Sequence, residues 1–158
     1  MIDPHPLLTD TLRRLRAINW QADPHYPTAA HECGHFWVAK HVGADPFRVS
    51  IYATGDGLAF AHFTTVSNAA NARILLAGGV AECIATNKPV EHWHTIRGCA
   101  RDLAELIPLV GNLQTPVYYD ALKETTQLLQ TGWPTIMVIA RELLIERTLD
   151  RQQLEKLL

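Results

Sequence analysis

Two histidines four residues apart, His31 and His35, bracket the run His31-Glu32-Cys33-Gly34-His35. Residues at that spacing share one face of an α-helix, so both imidazoles could aim a nitrogen at one metal ion. Glu32 stands one residue along, beside that ion and not on it, where it could take a proton from a water the metal activates. The H-E-x-x-H pattern therefore names a metal, Zn2+, a general base and hydrolytic chemistry. Cys33 lies inside the run but points off the two-histidine face of a helix, so it is not expected to be a ligand.

A catalytic zinc site takes three protein ligands and leaves one position open, so a third ligand must come from elsewhere. The extended pattern H-E-x-x-H-x-x-G-x-x-H is not met, because Val38 stands where it needs glycine. A helix continuing through Val38 carries His41 about 240° round from His35, and His41 reads instead as a helix-end histidine favoured by the dipole. Two carboxylates stay open at this point, Asp102 and Glu82. Each falls in an expected helix with apolar neighbours, where a carboxylate needs a partner or a wet face. His62 on an expected strand could help stabilise an oxyanion, although a lone strand histidine is more often structural. His92 and His94, on either side of Trp93, read as loop residues and not as a second metal site, and Tyr118-Tyr119 as packing.

The elements that must position these groups follow from local pattern. Pro27 and Thr28 start a helix and Gly43 stops it, so the motif helix is expected over 28–42. Alternating apolar residues give a strand over 47–53, Gly55-Asp56-Gly57 a turn, and 58–65 a returning strand. That second strand could offer its edge to an extended peptide. Helical periodicity resumes over 68–86. Its Gly78-Gly79 pair costs roughly 1 kcal/mol per glycine against alanine and implies close backbone packing. Further helices are expected over 98–110, with Pro108 forecasting a kink or early end, over 116–130 and 134–147, and briefly over 150–158. An amphipathic helix over 7–20 precedes the motif. The fold class expected is mainly α (α+β), with a small β-ribbon after the motif helix.

At 158 residues the chain is expected to form one domain: an N-terminal helix and loop (1–26), a metal-site core (27–110) and C-terminal helices (111–158). A hydrophobic share of 47% with 19% charged residues suits a chain that buries a sizeable core. A net charge of -2 without any lysine or arginine run argues against nucleic acid as a partner. No apolar run reaches the length of a membrane span, and no signal peptide is expected from the polar residues 1–10. Cys33, Cys83 and Cys99 form no C-x-x-C pair and read as reduced thiols of a cytoplasmic protein.

Three segments carry a family resemblance: Ala30-His31-Glu32-Cys33-Gly34-His35, then Leu75-Leu76-Ala77-Gly78-Gly79-Val80-Ala81-Glu82, then Gly98-Cys99-Ala100-Arg101-Asp102-Leu103. In this order they resemble the peptidase domain of FtsH-type ATP-dependent zinc metalloproteases. There an H-E-A-G-H helix, a strand pair, a G-G-x-A-A-E-like helix and an Asp-Leu pair build the site. The resemblance spans roughly 27–110. It implies a helical zincin-like peptidase domain with His31, His35 and Asp102 as zinc ligands and Glu32 as general base. Glu82 becomes a carboxylate that orients a ligand histidine, and stays the alternative third ligand. The implied substrate is a peptide or unstructured protein. The chain departs from the family in several places. It has no G-x-x-x-x-G-K-[ST] loop. Ala77 stands for a glycine and Cys83 for an acidic residue, and Leu103-Ala104-Glu105-Leu106 replaces the usual run after the aspartate. It therefore resembles a stand-alone or divergent peptidase domain, for which any ATPase or unfoldase is a separate partner. Two rivals are a regulatory H-E-x-x-H protease of another family, with a different third ligand, and a catalytically inactive metal-binding scaffold. Glu32 speaks against the scaffold, since structural zinc sites are closed by four ligands and need no base.

Overall fold

A computed structural model of the chain describes residues 18–52, 54–62 and 66–158. It is mainly α with a small antiparallel sheet. The motif helix, α1, spans Tyr26–His41 with Pro27 in its first turn, where a missing N–H costs nothing. Gly43, at φ +85°, turns the chain away, and the Ala44 N–H donates back to the Ala39 carbonyl at 3.0 Å. That left-handed closure is the one the glycine predicts.

Strands β1 (Asp45–Ile51) and β2 (Gly57–His62) pair antiparallel, with Val49 opposite Ala59 and Ile51 opposite Gly57. The expected two-stranded ribbon is one strand short. A third strand, β3 (Thr148–Asp150), pairs with the other edge of β1, giving the order β2–β1–β3. Three residues with a single buried apolar side chain, Leu149, carry too little alternation to be read as a strand.

Helix α2 (Asn68–Ala85) begins at Ser67, whose hydroxyl accepts the Ala70 N–H at 3.1 Å, and continues unbroken through Gly78-Gly79. Helix α3 (Ala100–Val110) likewise runs through Pro108 and ends at Gly111. The two helices expected over 116–130 and 134–147 are one helix, α4 (Pro116–Glu146), of 31 residues. Pro134 deprives the Gln130 carbonyl of its helical donor, but both residues are exposed and water can bond that carbonyl. Leu129, Ile136, Ile139 and Leu143 are fully buried on the inner face. Their burial, about 1.5–3 kcal/mol each, outweighs a proline penalty of about 3 kcal/mol. A short α5 (Arg151–Glu155) follows, and Arg151 clasps Asp45 with two bonds of 2.7 and 2.8 Å.

Helix α1 is central, packed against α2, α4 and both long strands. Gly132 of α4 lies flush against the Trp37 indole, whose N–H donates to the Leu128 carbonyl at 3.1 Å. Trp93 is buried on a 3-10 turn (Val90–Thr95) and donates to the Tyr118 hydroxyl at 3.0 Å. Tyr118 is thus core, while Tyr119 is exposed. Of the helix expected over 7–20, residues 7–17 lie outside the described residues, and Trp20–Ala22 form a single 3-10 turn. Among the described residues no helix is long and apolar enough to cross a membrane.

Candidate metal centre

One turn of α1 separates His31 from His35 and brings their Nε2 atoms to 3.1 Å. Asp102, in the first turn of α3, reaches both, its Oδ2 lying 3.3 Å from His31 Nε2 and 3.4 Å from His35 Nε2. Ligands bound tetrahedrally to one zinc ion at about 2.05 Å stand about 3.3 Å apart, so the triangle has the span of a donor set for one ion. The far nitrogens are also committed. His35 Nδ1–H donates to the Ile74 carbonyl at 2.7 Å, and His31 Nδ1 meets Glu82 Oε2 at 3.2 Å. A neutral imidazole carries one N–H. With that proton on Nδ1 in both rings, two lone pairs and a carboxylate oxygen converge on one point, which calls for a cation.

Buried charge decides what sits there without a metal. Burial alone lowers the pKa of His31, but hydrogen bonds with Asp102, Cys99 and Glu82, and the nearby Glu32, outweigh it and hold the imidazole well above its ordinary value. Burial raises Asp102, yet its bonds to both histidines prevail and keep it well below the usual carboxylate range. Without a metal these contacts favour a proton on His31, with which a metal ion competes.

Glu32 is only 6% exposed. Burial pushes its pKa up, partly offset by His35 and His31 and by a hydrogen bond with the Ala59 backbone. A Cβ built on Gly57 would lie 2.5 Å from Glu32 Cγ and 2.8 Å from Oε1, so β2 can approach this carboxylate only through a glycine. The helix crossing needs glycines too. A Cβ on Gly34 would sit 2.6 Å from the Ala77 carbonyl oxygen, and one on Gly78 would strike both histidine Nε2 atoms. The paired glycines of α2 thus mark a close approach, as their cost in the sequence implies.

His31, Glu32, His35 and Asp102 line a cleft of about 400 Å³, walled by Phe36, Leu58, Ile74 and Leu75, with exposed Arg101 and Glu105 on the α3 side. Glu82 meets His31 from behind and is not part of the triangle. Cys33 is fully buried and among the described residues belongs to no donor grouping, and burial pushes its thiol up. His41 donates to the Trp37 carbonyl at 2.8 Å and stacks on that indole, away from the centre. The side chain of His62 lies outside the described residues. Among the described residues no grouping of donors includes His92 or His94. Sequence reasoning did not single out Cys99 as a neighbour of the site. It is buried with Sγ 4.0 Å from His31 Nδ1, and nothing but its place three residues before Asp102 hinted at this. The contacts of Gly57 and Ala59 with Glu32, and of the Ile74 carbonyl with His35, carried no sequence signal at all.

No protein-family model matches the chain, and a search of the curated proteins finds no match.

Proposed function

We propose that this protein is a zinc-dependent metallopeptidase, with His31, His35 and Asp102 holding the ion and Glu32 as general base. One observation carries the reading: two imidazole Nε2 atoms and a carboxylate oxygen converge at 3.1–3.4 Å from one another, with a buried glutamate of raised pKa beside them. Two imidazoles and a carboxylate suit zinc and leave a coordination position free. When bound, the ion supplies a Lewis acid that polarises a carbonyl and makes water nucleophilic near neutral pH.

The chain's own residues do the rest. Glu82 and the Ile74 carbonyl hold the histidine rings in the tautomer that turns Nε2 inward. Glu32, its affinity for a proton raised by burial, accepts a proton from the attacking water and returns it to the departing amine. Among the described residues β2 pairs on one side only, and its Gly57–Ala59 stretch lines the cleft. An extended peptide could add to that edge, which favours peptides or unstructured proteins as substrates. The three segments behind the FtsH-type resemblance meet at this centre, which supports a peptidase domain of that kind. A folded substrate would then need a separate unfoldase.

The test combines elemental analysis with hydrolysis of an unfolded, fluorescently labelled protein. Wild type should carry about one zinc per chain, with Asp102→Ala sharply depleted. Glu32→Gln should keep its zinc and lose roughly 10²–10⁴-fold in turnover. Undiminished turnover in Glu32→Gln would refute the mechanism. Zinc without any hydrolysis in wild type would favour a metal-binding scaffold.

A further inference from the structure

Gly78 and Gly79 each clear space over a different set of donor atoms. A Cβ on Gly78 would strike the two histidine Nε2 atoms, whereas one on Gly79 would come within 2.8 Å of Cys99 Sγ. Cys99 stands behind His31. There His31 Nδ1 lies 3.2 Å from Glu82 Oε2 and 4.0 Å from Cys99 Sγ, and the three donor atoms all lie within 4.8 Å of one another. His31 and Cys99 are buried, while the Glu82 side chain is 18% exposed and gives a way in from solvent.

We propose that His31 Nδ1, Glu82 and Cys99 form a second metal site, selective for thiophilic ions such as cadmium(II), that competes with the first site for the same imidazole. A thiolate is the soft ligand that separates this set from the all-N,O triangle in front of it. Zinc, about 2.3 Å from sulfur and 2.05 Å from nitrogen, sets the two donors about 3.6 Å apart; a larger soft ion such as cadmium(II) sets them wider, towards the 4.0 Å found here. Binding displaces the thiol proton to solvent. It also takes Nδ1, so the one proton the ring keeps lies on Nε2. From there it donates to Asp102, and His31 no longer offers a lone pair to an ion in front. The two sites accordingly hold one ion at a time. The second site stands without any peptidase activity; only the competition rests on the metal centre proposed above.

Cadmium chloride titrated into metal-free and zinc-loaded protein tests this, followed by the ultraviolet thiolate-to-cadmium charge-transfer band and by zinc release to a chromogenic chelator. The expected result is one thiolate-bound cadmium per chain, with one zinc released for each cadmium bound. The band should vanish in Cys99→Ser, persist in Cys83→Ser, and need about tenfold more cadmium in Glu82→Gln. No band in wild type, or a band that survives Cys99→Ser, overturns the site. A band that forms while one zinc per chain stays bound overturns the competition. A band in a protein that never takes up zinc supports this site and refutes the first one.

Discussion

Replacing Gly78 by alanine should remove the metal while sparing the fold. The added methyl would strike His35 Nε2 and lie 2.6 Å from His31 Cδ2, about 1 Å short of a van der Waals contact of about 3.6 Å. Neither ring can rotate away cheaply, because His31 is bound to Glu82 and His35 to the Ile74 carbonyl. Both donor nitrogens must then shift by about 1 Å, twice the roughly 0.5 Å that a functional site tolerates. Overpacking of this kind costs about 1–3 kcal/mol, and exchanging a helical glycine for alanine returns about 1 kcal/mol. The net cost of about 0–2 kcal/mol corresponds to a fall of a few degrees in melting temperature for a chain of this size. Calorimetry in EDTA reads the fold, and elemental analysis after zinc loading reads the site. Expected are a nearly native transition and zinc below about a tenth of the wild-type content. Full zinc content at wild-type affinity would refute the role assigned to Gly78. A chain that cannot fold in EDTA would refute the energetic argument.

Gly34→Ala should behave in the opposite way, damaging the fold more than the site. Its methyl meets the Ala77 carbonyl oxygen and Ala81 Cβ at 2.6 Å; backbone cannot swing aside, so α1 and α2 must part at a cost of about 3 kcal/mol, measurable by urea unfolding in EDTA. Glu82→Gln removes the charge that orients His31 and should weaken zinc binding 10–100-fold, read by chelator competition, without unfolding the protein. The pH dependence has a defined sign. The raised pKa of His31 stabilises the metal-free fold fully below the unfolded value of about 6.5, and that contribution is lost as pH rises through the raised folded value. The depressed pKa of Asp102 stabilises it above the unfolded value of about 3.9, and is lost as pH falls towards the folded one. Zinc must expel the His31 proton, so its affinity climbs over the same window in which the metal-free fold weakens. The gap between the melting temperatures of zinc-loaded and EDTA-treated protein should therefore widen from pH 6.5 upward; a constant gap would contradict the protonation of His31.

What could be read from the chain was local. The start of α1 at a proline, its stop at Gly43, and the common face of His31 and His35 all depend on residues within two helical turns. β1, β2 and the turn between them also announce themselves through alternation and paired glycines. The misreadings share one cause. Pro134 looked like a boundary because its penalty is local, whereas the burial that carries α4 through it comes from side chains of α1 and α2 packed on the other face. β3 escaped notice because its pattern is three residues long and its partner, β1, lies nearly a hundred residues earlier.

The site divides along the same line. By spacing alone, the sequence determined the two histidines, the glutamate between them and the chemistry they could perform. It could not choose between Asp102 and Glu82, both carboxylates on helices with apolar neighbours; the family resemblance supplied that preference. Only the crossing of α1, α2 and α3 placed Asp102 against both Nε2 atoms and Glu82 against the opposite nitrogen of His31. The same crossing brought Cys99 to that nitrogen, and the packing of β2 on α1 set Gly57 and Ala59 against Glu32. Helical periodicity fixes the direction of a side chain relative to its own helix. Which group it meets depends on how closely the helices approach, and here that distance is set by the glycines at the crossing.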